Sequence, residues 1–155
     1  MLKSLPIGTY TFRDIIQGGS LYVDKTETIY ELLRPSKGIF FLSRPRRFGK
    51  SLLISTLEEI FRGNRELFNG LWLYDSQYDW QIYPILQISF GPIRVETASE
   101  LEHRIHLILN DLAESHKLTL PDENYQYRFQ KLIQQLGERG SVVILIDEYD
   151  KPILD

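Results

Sequence analysis

Five consecutive aliphatic residues at 142–146, Val-Val-Ile-Leu-Ile, constrain the fold of this chain more than any other feature of its sequence. A strand that is apolar at every position has to be covered on both faces, which is typical of a parallel sheet packed between helices. The run at 38–42, Gly-Ile-Phe-Phe-Leu, has the same character, and the segment 84–90 predicts a further strand. We therefore expect these segments to form strands of a parallel sheet.

Helices are predicted between the strands, so the chain reads as an α/β fold with the sheet flanked by helices. Helix-start signals stand at Thr11 ahead of 12–17, at Asp24 with Glu27, and at Ser99 with Glu102. Apolar side chains recur at helical spacing in three segments: Leu53, Leu57, Ile60 and Phe61; Leu101, Ile105, Ile108, Leu109 and Leu112; and Tyr125, Phe129, Leu132, Ile133 and Leu136. The 155 residues suit one domain, which we divide into an N-terminal helical segment, 1–37, and a core, 38–155.

The segment that joins the run at 38–42 to the next helix carries the pattern of a phosphate-binding loop, SRPRRFGKS over 43–51. A glycine lets the backbone approach a phosphate, and the amides at a helix start bind anions. We expect Lys50 to stabilise the transferring phosphate and the Ser51 hydroxyl to bind Mg²⁺. The predicted nucleotide-binding residues are Arg46, Arg47, Phe48, Gly49, Lys50, Ser51 and Leu52.

The loop departs from the usual G-x-x-x-x-G-K-[ST] pattern at its first glycine, where this chain has Arg44. A residue with a Cβ restricts positive φ values, so the loop entry must take another shape, to which Pro45 can contribute. Together with Arg46 and Arg47, Arg44 can neutralise nucleotide charge or contact a nucleic-acid backbone. A solvated basic turn at a helix start is the alternative interpretation.

The run at 142–146 leads directly into two acids, Asp147 and Glu148. A strand holds an aspartate rigidly at its end, where the carboxylate can orient Mg²⁺ and its waters. The glutamate that follows can accept a proton from an attacking water as a general base. Acids after a strand are also ordinary solvated loop entries, so the prediction of a nucleotide site rests on the two motifs together.

Composition removes several classes of site. The chain has no cysteine, which excludes disulfides, thiolate metal sites and cysteine nucleophiles. His103 and His106 are three residues apart on a predicted helix, and a solvated helix face is favoured there over a shared metal. The net charge of −3 does not indicate a nucleic-acid or anionic-membrane partner. Neither a signal peptide nor a membrane span is evident, so we expect a soluble, cytoplasmic protein.

Several segments together carry a family resemblance: YVDKT at 22–26, FLSRPRRFGKS at 41–51, LFNGLW at 67–72, Tyr83-Pro84 and LIDEYDKP at 145–152. They resemble the bacterial AAA-ATPase-like family, whose members often carry a PD-(D/E)XK nuclease-like domain at the C-terminus. The resemblance implies a P-loop ATPase fold that binds ATP and Mg²⁺, and an arginine at 44 is normal for the family. The role of Asp24, Lys25 and Thr26 stays open, with a helix cap favoured over nucleotide contact.

ATPases that have a glutamate after the metal-binding aspartate resemble a class in which another strand separates the two motif strands. That strand comes later in sequence, and without it apolar sheet edges would lie open. We therefore expect this chain to be a fragment that is unstable alone, associates with itself, or pairs with a missing C-terminal region. Nuclease activity is not assigned to it.

Three functions follow from these expectations. The first is ATP·Mg²⁺ binding, with hydrolysis in the intact protein. The second is a non-enzymatic module whose arginine-rich loop grips phosphate or nucleic acid, with an affinity that falls steeply as salt rises. The third is an interaction domain that binds neither ligand.

Overall fold

The computed structural model describes residues 3–34, 38–45, 47–91 and 95–149. The chain divides into two compact units, residues 1–82 and 83–155. The helices of the first unit are α1 (Phe12–Gln17), α2 (Thr26–Leu33), α3 (Lys50–Phe61) and two short 3₁₀ helices, Arg65–Phe68 and Trp72–Asp75. The second unit contains β1 (Ile85–Ser89), α4 (Ala98–Ser115), α5 (Tyr125–Gly137) and β2 (Val143–Asp147).

Stacked aromatic rings form the centre of the first unit. Phe12 of α1 lies 4.5 Å from Phe68, centroid to centroid, and both side chains are fully buried. Ile15 and Ile60 add aliphatic surface from α1 and α3. Removing each of these side chains from water contributes about 1.5–3 kcal/mol, so they hold α3 in place.

A buried carboxylate also fastens α1 to α3. Glu59 is 5% exposed and accepts hydrogen bonds from Arg13 Nε at 3.0 Å and from Arg13 Nη2 at 2.7 Å. Asn64 Nδ2 donates to the same carboxylate at 2.6 Å. Because a buried charge is tolerated only when it is paired, these donors explain why α3 can place an acid on its packed face.

The second unit is built on a helix pair that packs over β1. Its core is a cluster of buried aliphatic side chains, namely Leu86, Leu109, Ala113, Leu132 and Leu136. The predicted start of α4 at Ser99 is wrong by two residues, because the Thr97 side chain accepts the Glu100 amide and caps the helix instead. Asn124 caps α5 in the same way. Both helices follow the predicted apolar spacing.

Strands β1 and β2 pair in parallel, from Ile85 beside Val143 to Ser89 beside Asp147. Parallel strands need a long crossover, which α4 and α5 supply. His116, just after α4, contributes a 2.9 Å hydrogen bond between its Nε2 and the carbonyl oxygen of Ile85. The parallel pairing confirms the α/β character predicted from the sequence.

The prediction of a buried strand at 38–42 is wrong. Residues 38–45 are irregular, and the side chains of Ile39 and Phe41 are 102% and 70% exposed. In the described residues the sheet consists of β1 and β2 only. An apolar run becomes a buried strand only when it pairs with a neighbouring strand and helices cover it. Among the described residues, neither β1 nor β2 pairs with 38–42.

The two histidines of α4 have different surroundings. His103 is exposed, as expected for a solvated helix face. His106 instead has its Nδ1 2.6 Å from a guanidinium nitrogen of Arg128, which also donates to Asn110 Oδ1. Because an arginine can only donate, the imidazole nitrogen is the acceptor. A solvated face is therefore the wrong interpretation for His106, which is partly buried against Arg128. Among the described residues no cluster of three potential metal ligands occurs.

Candidate nucleotide-binding site

The predicted phosphate loop is an exposed turn that ends at α3. Arg47 has φ 66° and Gly49 has φ 75°, so the backbone passes twice through the left-handed region. A Cβ placed on Gly49 would meet no atom within 4 Å. The glycine is therefore required by its backbone angle, and the space beside it stays open.

Helix α3 begins without a side-chain cap. Gly49 occupies the cap position and has no side chain that could accept a helix amide. The side chains of Thr11, Thr97 and Asn124 do so at the starts of α1, α4 and α5. The first turn of α3 also contains no acid. The first amides of a helix have no partner within the helix and carry its positive dipole end. This helix start can therefore accept an anion.

Lys50 closes the loop through its side chain. Its ammonium nitrogen donates to the carbonyl oxygen of Arg44 at 3.0 Å. Arg44 stands where the usual pattern has its first glycine. The contact places the lysine charge across the mouth of the turn, between its entry and the start of α3.

The other residues predicted for this loop have varied surroundings. Arg47, Phe48 and Ser51 are exposed, with Phe48 at 63%. Leu52 is partly buried, and its carbonyl oxygen accepts the hydroxyls of Ser55 and Thr56 at 2.9 and 2.7 Å. Arg46 lies outside the described residues.

The acidic pair stands at the carboxyl end of β2. Asp147 is partly buried, and its Oδ1 accepts the Glu148 amide at 2.9 Å. Glu148 is exposed and has φ 51°, an unusual angle for a residue with a side chain. Such backbone strain costs about 1–3 kcal/mol and clusters at functional positions.

Two residues near the acids were missed by the sequence prediction. Ser89 lies beside Asp147 in the parallel register, and its hydroxyl accepts the Gly91 amide at 3.3 Å. Gly91 in turn lies against the Glu148 carboxylate. The parallel pairing of 84–90 with 142–146 was the available signal, because it brings the carboxyl ends of both strands together.

The two halves of the predicted site belong to different units. The loop around Lys50 lies in residues 1–82, and the acidic pair lies in residues 83–155. Within the first unit the structure brings Lys50 to Arg44, and within the second it brings Glu148 to Gly91. That Lys50 and Asp147 serve one ligand stays a prediction.

Asp24 and Thr26 join α2 to the second 3₁₀ helix. Asp24 accepts the amide and hydroxyl of Thr26 at 2.8 and 2.7 Å, and the Trp72 amide at 2.7 Å. The buried Thr26 hydroxyl accepts the Leu73 amide at 3.0 Å. The predicted capping box with Glu27 is wrong, because Lys25 takes the cap position without a side-chain bond. The Asp24 carboxylate is thus used in holding the fold together.

These contacts also set the charge state of Asp24. Burial alone would raise the pKa of its carboxyl group, but the hydrogen bonds from Trp72 and Thr26 together outweigh that effect. The pKa of Asp24 is therefore lowered from its ordinary value, since the donors favour the charged form.

The chain belongs to the AAA-ATPase-like family, described as a predicted AAA-ATPase, whose family model matches residues 6–155. It is 44% identical over 157 residues to an "Uncharacterized protein in vnfD 5'region" of Azotobacter chroococcum mcd 1. That alignment covers 99% of this chain and 30% of the relative, so the chain spans less than a third of the relative's length. No solved structure matches the chain.

Within the described ranges, no helix is long and apolar enough to cross a bilayer.

Proposed function

We propose that this chain binds ATP with Mg²⁺ through the loop before α3 and the acids after β2, and that the intact protein hydrolyses it. The observation that carries the proposal is the Lys50 ammonium held on the Arg44 carbonyl across a turn whose helix start has no side-chain cap. Membership of the AAA-ATPase-like family supports the same assignment.

The phosphate side of the site uses backbone and charge. The first amides of α3 have no side-chain cap, so a phosphate bound at this helix start gains both hydrogen bonds and the helix dipole. Lys50 exchanges its bond to the Arg44 carbonyl for a phosphate oxygen, a charge-assisted and stronger interaction. Exposed Arg44 and Arg47 add positive charge around the same turn.

The acidic side of the site supplies metal ligands and a base. When bound, Mg²⁺ would supply positive charge that offsets the charge of the phosphates. Asp147 suits this ion because its carboxylate is a hard oxygen donor fixed at a strand end, and the exposed Ser51 hydroxyl is a second donor. Glu148 is exposed and accepts the proton of the attacking water.

Titration with a fluorescent ATP analogue in Mg²⁺ buffer tests the assignment. Lys50→Ala should weaken binding about 10- to 100-fold, because a hydrogen bond to a charged group contributes about 1.5–3 kcal/mol. Lys131→Ala is the matched control, since Lys131 is bonded to Gln134 on the surface of α5. Equal affinity of the Lys50→Ala variant and the parent would refute the assignment.

A second candidate function is the binding of nucleic-acid phosphates without turnover. Exposed Arg47 beside the 63% exposed ring of Phe48 favours it, since cations and stacked aromatics are the groups that bind single strands. Its affinity for an oligonucleotide would fall steeply between about 50 and 200 mM salt. Asp147→Asn would leave that affinity unchanged, whereas it should weaken Mg²⁺-dependent ATP binding.

A further inference from the structure

Gly91 lies directly against the side chain of the proposed base. A Cβ built on Gly91 would overlap Oε2 of Glu148 and lie 3.0 Å from its Cδ. The next nearest atom is Ser89 Oγ, at 3.4 Å, an ordinary contact. The Glu148 carboxylate thus occupies the space that a side chain at position 91 would fill.

The glycine at 91 is not needed for backbone reasons. Its φ lies outside the left-handed region, unlike that of Gly49, so an alanine could adopt the same backbone. The overlap falls on the far end of a flexible and exposed side chain and not on backbone. An alanine would therefore move the carboxylate without unfolding the unit.

We propose that Gly91 is a positioning residue, whose missing Cβ sets the place of the Glu148 carboxylate at the carboxyl end of the sheet. The role rests on the proposed function, in which Glu148 accepts a proton from the attacking water. A base must stand within about 2.6–3.2 Å of the atom that it deprotonates. In Gly91→Ala, the new Cβ would occupy the present position of the Glu148 carboxylate and displace it.

We expect Gly91→Ala to lower the rate of ATP hydrolysis and to leave nucleotide affinity unchanged. Misplacement of a reacting group by about 1 Å can cost 10²-fold in rate, so Gly91→Ala in the intact protein should lower its kcat roughly 10- to 100-fold. The Kd for the ATP analogue should stay within about twofold, because Gly91→Ala removes no charged group and no backbone amide. In a Glu148→Gln background the same substitution should have no further effect on kcat, since the base is already gone.

Carboxyl ¹³C NMR of the full chain tests the contact independently of turnover. The resonance of Glu148 is assigned by its loss in the Glu148→Gln variant. It should move in Gly91→Ala and stay in place in Gly137→Ala, the matched control. Gly137 ends α5, has no left-handed φ, and a Cβ there would meet nothing within 4 Å.

The outcomes distinguish the positioning role of Gly91 from the proposed hydrolysis of ATP. An unmoved Glu148 resonance in Gly91→Ala, or loss of the folded state, would overturn the contact as described. A moved resonance with an unchanged kcat would overturn the positioning role. An intact protein that binds the analogue but hydrolyses no ATP would refute the catalytic part of the proposed function, while the resonance in the present chain would still decide whether Gly91 places the carboxylate.

Discussion

Glu148 combines an exposed carboxylate with a left-handed backbone, φ 51°. A side chain in that region costs about 1–2 kcal/mol. The Glu148 amide donates a hydrogen bond to the Asp147 carboxylate, which fixes that carboxylate relative to the backbone of the turn.

At position 148, glycine should give a more stable protein than alanine, the reverse of the usual order of the two residues in stability. Glu148→Gly should be more stable than Glu148→Ala by about 1 kcal/mol, because only glycine adopts positive φ without strain. The same pair at Glu102, an exposed site within α4, should favour alanine by a similar amount. Urea unfolding of the four variants measures both differences. Alanine favoured at both sites would show that Glu148 carries no strain.

Asp24 should make part of the stability depend on pH. Its folded pKa is lowered, so its contribution is present above the unfolded pKa of about 3.9 and is lost as pH falls through the folded pKa. The difference in unfolding free energy between the parent and Asp24→Asn should be constant above about pH 5 and shrink below about pH 4. Denaturant midpoints from pH 7 to pH 3 measure it, and a difference that does not shrink in acid would contradict this account.

At the scale of elements, α3 depends on the residue that precedes it. Gly49→Ala should destabilise the chain by about 1–2 kcal/mol, because φ 75° is forced on the new side chain. It should also weaken binding of the ATP analogue as the loop shifts. Gly137→Ala should be neutral or stabilising by up to about 1 kcal/mol. Equal thermal stability of the two variants would show that the left-handed turn before α3 is not required.

Local signals predicted most elements, because they act within a few residues. The cap at Thr11 and the length of α1 follow from the sequence, and the apolar spacing places α5. The start of α4 was wrong because two hydroxyl residues, Thr97 and Ser99, can each cap a helix and only the fold decides between them. The run at 38–42 failed for a non-local reason, since strand formation needs partners that apolar character does not reveal.

The candidate site was predictable to a similar degree. Gly49, Lys50, Asp147 and Glu148 follow from motifs whose chemistry fixes the residue types. The contact of Gly91 with Glu148 could not be predicted, because it depends on the register of two strands and on the direction of one side chain. The roles of Asp24 and Thr26 likewise depend on a partner about 47 residues away.

At the scale of the whole molecule, we propose that one ligand, Mg·ATP, requires both Lys50 of the first unit and Asp147 of the second. A ligand that binds only the native state stabilises it by about 2.7 kcal/mol at a hundred times its Kd. For a chain of this length that raises the unfolding temperature by roughly 5–10 °C. Loss of either residue should remove the increase if both belong to one site.

The most direct test is thermal unfolding of the parent, Lys50→Ala and Asp147→Asn, each with and without Mg·ATP. We predict a cooperative transition in all three, raised by the nucleotide in the parent alone. An increase that persists in Asp147→Asn would contradict a shared site and favour phosphate binding by the arginine-rich loop alone. An increase that persists in Lys50→Ala, or is absent from the parent, would contradict the assignment of the phosphate loop itself.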